Sequence, residues 1–173
     1  RLAMKVLNAS KFALSFGEVE DDTAITEPLD RALLAKLATT VEEATSGFED
    51  YDYVRGRDVA ETFFWSFCDD YLELVKTRAY GQDDTFSAES TASARATLRR
   101  TLDIQLRLLA PVLAFVTEEV WSWFRDGSIH RASWPTTTAG DHEGDPAVLT
   151  TVAEVLGQIR RAQTEAKVGM RSA

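Results

Sequence analysis

The sequence predicts an all-α protein, a helical bundle, and three observations predict it. Glu61–Lys76 (ETFFWSFCDDYLELVK) holds Phe63, Phe64, Trp65, Phe67, Tyr71, Leu72, Leu74 and Val75 in one short stretch. At about 100° per residue, these side chains cover roughly 200° of a helix, wider than the stripe of an edge helix. Elsewhere apolar residues recur at helical spacing, as in Leu98, Leu102, Leu106, Leu109 and Leu113. No segment alternates with the period of two that paired strands need. The expected architecture is a bundle of about five helices with an appended sixth, and the aromatic stretch as its central helix.

The elements follow in order. Residues 1–16 read as a helix with Leu2, Val6, Ala9 and Ala13 on one face and Met4, Leu7 and Leu14 on another. Between these faces runs a strip of Lys5, Asn8 and Phe12. Gly17 stops the helix, and the acidic loop 17–26 (Glu18, Glu20, Asp21, Asp22) is expected to be solvated and mobile. A second helix starts at the N-cap candidate Thr26, with Pro28 in its first turn. It buries Leu29, Leu33, Leu37, Val41 and Ala44 and ends near Gly47. The third runs unbroken from about Tyr53 to Ala79, with Gly81 as its stop. Its polar strip of Thr62, Ser66, Asp69, Asp70, Glu73 and Lys76 must reach water or a partner.

After the polar loop Gln82–Ser87, a fourth helix opens near Ala88, with Arg100, Asp103 and Arg107 opposite the leucine stripe. Pro111 either kinks it or opens a fifth helix, Val112–Phe124. Asp126-Gly127 makes a turn, and Ser128–Pro135 is expected to be an extended segment leaving the bundle. From Pro146 a last helix aligns Val148, Val152, Val155, Ile159, Ala162 and Ala166 on one face. Its charge is basic, with Arg160, Arg161, Lys167 and Arg171 against Glu154 and Glu165.

Composition excludes several function classes. The net charge of −9 argues against a general nucleic-acid binder, so any such role needs a local patch. The single cysteine, Cys68, excludes an internal disulfide framework. It reads as a buried hydrophobe of a reducing, cytoplasmic compartment. The two histidines, His130 and His142, fall in expected loops, and no zinc spacing surrounds them. The sequence lacks a GxSxG, a P-loop and a dinucleotide-binding glycine pattern. Asp69-Asp70 and Glu118-Glu119 are adjacent pairs pointing about 100° apart on a helix, which suits surface or salt-bridge roles rather than acid–base dyads. The chain starts at Arg1 already in helical phase, and is expected to be a piece of a larger protein.

The strip Lys5, Asn8 and Phe12 combines a cation, an amide and a ring, able to meet a phosphate, a base edge and a base face. By pattern alone this signal is weak: Phe12 fits the core better, and Lys5 fits plain surface better.

Three stretches carry a resemblance. LAMKVLNASKFAL, ETFFWSFCDDYLELVKTRAY, and LLAPVLAFVTEEVW followed by SIHRASWP resemble the helical anticodon-binding domain of the valine–tRNA ligases, a class I aminoacyl-tRNA synthetase family. The TEEVW segment and SxH…WP exit are shared with the isoleucine and leucine relatives; FCDDYLELVK resembles the valine enzymes. The resemblance implies a cytoplasmic parent enzyme that joins valine to its tRNA using ATP and Mg²⁺, with catalytic and editing sites elsewhere. This piece would hold the tRNA anticodon stem-loop, with no catalytic, cofactor-binding or metal-binding residue of its own. By the same resemblance Lys5, Phe12 and Leu72 contact the anticodon; Asn8 is added on geometry alone. Leu72 sits at the edge of the apolar arc, half in the core.

Two departures are Ala110 and Ala114, where many members carry His and Pro. The division implied is 1–127 for the anticodon-binding bundle, and 128–173 for an exit segment and the start of a further subdomain whose end lacks packing partners. The alternatives are an isoleucine–tRNA ligase domain and a helical protein-interaction module without RNA binding.

Overall fold

A computed structural model describes residues 1–82 and 85–166. Its helices are α1 (Leu2–Leu14), α2 (Pro28–Glu49), α3 (Tyr53–Ser66), α4 (Leu72–Tyr80), α5 (Ala88–Leu109), α6 (Ala114–Trp121) and α7 (Pro146–Glu165). A π-helical turn, Phe67–Tyr71, joins α3 to α4, and short 3₁₀ turns lie at Ile129–Arg131 and Ala139–His142. No strand occurs among the described residues. The fold is the all-α bundle that the periodicity predicts. Lys167 and Arg171, expected on the last helix, lie outside the described residues, as does the chain end.

The stops and starts have local causes. Ser87 caps α5 by accepting from the Ser90 N–H at 3.1 Å, and Asp145 caps α7 by accepting from Ala147 at 2.9 Å. Gly81 closes α4 at φ +61°, the left-handed conformation that glycine adopts without strain. Pro111 lies in the turn that ends α5, and the new helix begins only at Ala114, so α6 is shorter than expected. The N-cap of α2 is Glu27 rather than Thr26. Ser93 Oγ of α5 accepts from both their backbone N–H groups, at 3.1 and 3.4 Å, so another helix anchors the chain as it enters α2. Gly47 does not end α2. It lies where α2 crosses α3, and a Cβ there would come within 2.8 Å of the Gly56 nitrogen.

The centre of the bundle is α5, not the aromatic segment. It packs against α1, α2, α3, α4 and α6. Its buried residues include Ser93, Thr97, Thr101 and Gln105 as well as the leucines. Thr97 Oγ1 donates to Ser93 O at 2.8 Å, which satisfies a hydroxyl inside the core. Small hydroxyl residues let helices approach closely, but they lower the apparent hydrophobicity that marks a central helix. Asp103, expected opposite the core, is also buried, and accepts from Arg107 and Arg125.

The third expected helix is not continuous. In its π turn the Leu72 N–H bonds to Phe67 O, five residues back. The extra residue rotates α4 relative to α3. A uniform wheel puts Leu74 on the core side and Leu72 at the edge, yet Leu72 is 9% exposed and Leu74 is half-buried. The rotation also turns Arg78 inward. Asp30, fully buried on α2, accepts from Arg78, from Tyr71 Oη at 2.7 Å and from Ser93 Oγ at 2.6 Å. This cluster ties α2, the π turn, α4 and α5 together.

The segment after Gly127 returns to the bundle instead of leaving it. Ile129 is buried, and Glu118 accepts from Ser128 Oγ and the Ile129 N–H, both at 3.0 Å. Trp134 packs on Phe48 and donates to Thr45 Oγ1 at 2.8 Å. Then α7 lies across α2 and reaches the π turn. Its buried face centres on Leu149, whereas Val155 and Ile159 are each 49% exposed. The contact line follows Leu149 and the half-buried Leu156 and Arg160, about a residue's rotation from the expected valine line.

Candidate nucleic-acid interface

A groove runs between α1 and the start of α4, with the π turn at one end. Helix α1 offers it an exposed strip because its other side is committed: Val6, Ala9, Ser10 and Ala13 are buried. The groove contains an open hollow of about 260 Å³ lined by Lys5, Asn8, Ala9, Phe12, Cys68, Leu72, Glu73 and Lys76. All four residues singled out from the sequence, Lys5, Asn8, Phe12 and Leu72, therefore line one concavity.

They contribute differently. Leu72 is a floor residue, more buried than an arc-edge position implies. Asn8 is exposed, with its amide at the rim. Phe12 is partly buried and held by two rings edge-on: Phe16 at 5.2 Å and 88°, and Tyr80 at 5.9 Å and 75°. Such packing fixes the plane of Phe12, as a stacking platform requires. Lys5 does not stand free: its Nζ donates to Asp69 Oδ1 at 2.9 Å and lies 5.8 Å from the Trp65 ring centre. The hydrogen bond it donates to Asp69 raises its pKa, against the opposing effect of burial. The ammonium is thus charged and aimed, but carries a counterion of its own.

Four contributors were not singled out. Asp69 lies in the π turn; its carboxylate holds Lys5, and its carbonyl accepts from Arg160 of α7 at 2.8 Å. Glu73 and Lys76 are exposed on the α4 wall, and no hydrogen bond or ion pair engages either among the described residues. Tyr80 packs behind Phe12. The available signal was the polar strip Asp69, Glu73, Lys76 on the segment that carries Leu72.

Cys68 lies at the base of the hollow, and burial pushes its thiol up to about 12. It is a protonated, unreactive wall at neutral pH. Among the described residues no group of three His, Cys, Asp or Glu side chains could hold a metal ion. No helix among them is long and apolar enough to cross a membrane. A rigid ring, an amide, ammonium groups and an apolar floor can bind a nucleotide.

The family described as the anticodon-binding domain of tRNA ligase matches residues 30–173. The chain belongs to that family. The matched region includes the π turn and the α4 wall but begins after α1, so Lys5, Asn8 and Phe12 fall outside it. Individual relatives extend over α1 as well. The valine–tRNA ligase of Thermobifida fusca (strain YX) is 56% identical over 178 residues, covering 99% of this chain and 20% of the relative. That of Cutibacterium acnes is 49% identical over 172 residues, with the same coverage of each. That of Salinispora tropica is 47% identical over 193 residues, covering 99% of this chain and 22% of the relative. The chain thus spans about a fifth of the length of these relatives.

Proposed function

We propose that this chain is the anticodon-binding part of a valine–tRNA ligase, and that the α1–α4 groove receives anticodon nucleotides. The observation that carries this is convergence: a cation, an amide, a braced ring and an apolar floor line one hollow in a family of anticodon-binding domains. Phe12 stacks on a base, Asn8 meets a base edge, Lys5 contacts backbone or base, and Leu72 packs beneath. The valine assignment draws support from the named relatives and from FCDDYLELVK. In this reading the parent protein is cytoplasmic and joins valine to its tRNA with ATP and Mg²⁺, and residues 128–173 lead into a further subdomain.

The test is binding of the full-length protein to valine and isoleucine tRNA transcripts, each with its own and a swapped anticodon. Tight binding to the valine transcript that falls with salt and on swapping is expected. Equal affinity for all four transcripts overturns the reading, and a preference for the isoleucine anticodon reassigns it.

A further inference from the structure

The α4 wall offers two charged groups that the four residues of the proposed site leave unused. Glu73 and Lys76 both line the hollow, three residues apart and thus on the same helical side. They are not within ion-pair distance of each other, and among the described residues neither makes a hydrogen bond or ion pair, although the charge of Glu73 reaches Lys5 at longer range. Lys5, by contrast, is committed to Asp69 at 2.9 Å. The ammonium free to take a phosphate is therefore Lys76. An ionised carboxylate only accepts hydrogen bonds. In a hollow that already holds a ring to stack on, it favours a base edge carrying an amine and repels one carrying a carbonyl.

We propose that Glu73 is a specificity residue that accepts a hydrogen bond from the exocyclic amine of an anticodon base stacked on Phe12, while Lys76 holds an adjoining phosphate. This rests on the anticodon reading of the groove. The bases that qualify are cytosine, through N4, adenine, through N6, and guanine, through N2; uracil presents only carbonyls and its ring N–H. Lys76 also offsets the repulsion between Glu73 and the RNA backbone. Asn8, across the groove, has both a donor and an acceptor, and fits the remaining polar atoms of the same edge.

The experiment measures binding of the full-length protein to valine tRNA transcripts in which each anticodon cytosine is replaced by uracil, each adenine by purine or each guanine by hypoxanthine, which removes the amine in every case. At one position the unmodified protein should lose about 5- to 100-fold in affinity, the range for one good base contact. Glu73→Met should bring that ratio close to one. Glu73→Gln, which keeps a carbonyl acceptor and adds a donor, should retain binding to the amine-bearing base and admit uracil. Lys76→Met should weaken all transcripts alike and lower the salt slope by about one unit. Both side chains are exposed and make no hydrogen bond or ion pair among the described residues, so these variants should fold; circular dichroism checks this. An unchanged ratio in Glu73→Met, with Phe12→Ala still weakening binding, overturns this proposal and leaves the groove standing. If Phe12→Ala and Lys5→Met also change nothing, the groove itself is wrong.

Discussion

Asp30 and Asp69 each hold a cation beside the π turn, on its inner and outer sides. Asp30 is fully buried, and Arg78, Tyr71 and Ser93 all donate to it. Asp69 is 55% exposed, and among the described residues its carboxylate has one hydrogen-bonded partner, Lys5. The chemistry is the same, but the dielectric is not. Removing one partner of a buried pair leaves an uncompensated charge in the core, whereas water replaces a lost partner at the surface. The inner cluster is built to stay closed, while the outer pair can exchange Asp69 for another anion at little cost. In the proposed reading, structure and recognition are thus divided across two faces of one turn.

The sharpest break of this contrast is Asp30→Ala. It should cost about 3–5 kcal/mol in urea unfolding, because Arg78 remains buried without its counter-charge. Phe12→Ala comes next: about 1–3 kcal/mol of tRNA affinity in the full-length protein, the weight of one stacked base, read from transcript binding. Asp69→Asn should change stability by less than about 1 kcal/mol, and should raise tRNA affinity by freeing Lys5. A fall in affinity would show that Lys5 needs Asp69 to aim it.

Tyr71 gives a pH test of the inner side. Burial, together with the charge of Asp30, raises its pKa well above the ordinary value of 10.0. The stability held by the protonated phenol is complete below that ordinary value and is lost as pH rises through the folded value, since the unfolded chain ionises first. Unfolding monitored above pH 10 should therefore steepen in the native protein and be shallower in Tyr71→Phe. The smallest effect concerns Cys68. Iodoacetamide at neutral pH should not modify it until the chain unfolds, because its thiol stays protonated. Rapid labelling would mean that the hollow opens to its base.

Much of this was legible in the sequence where the signals were local. Pro28 and Pro146 at helix starts, Gly81 at a stop and Pro111 at a break act within a few residues, and they placed the elements. The strip Lys5, Asn8, Phe12 was readable for the same reason: α1 is an undistorted helix. What local reading missed depended on partners far along the chain. Nothing near Asp30 announces Arg78, 48 residues later. The threonines and serines of α5 look like surface until five neighbours surround them. The contact line of α7 is set by α2 rather than by its own valines. The π turn misled most, because every position after it was assigned on a wheel one residue out of phase.

If the groove is the anticodon site proposed above, that extra residue makes the length of the chain, rather than its composition, a determinant of recognition. Deleting any one residue from Phe67–Tyr71 would restore a regular helix, yet would turn all that follows by about 100°. Leu72, Glu73 and Lys76 would swing out of the groove together, and Arg78 would leave Asp30. No single substitution could do as much. Among related chains, a one-residue gap here would mark a different reader, even where every side chain of the groove was kept.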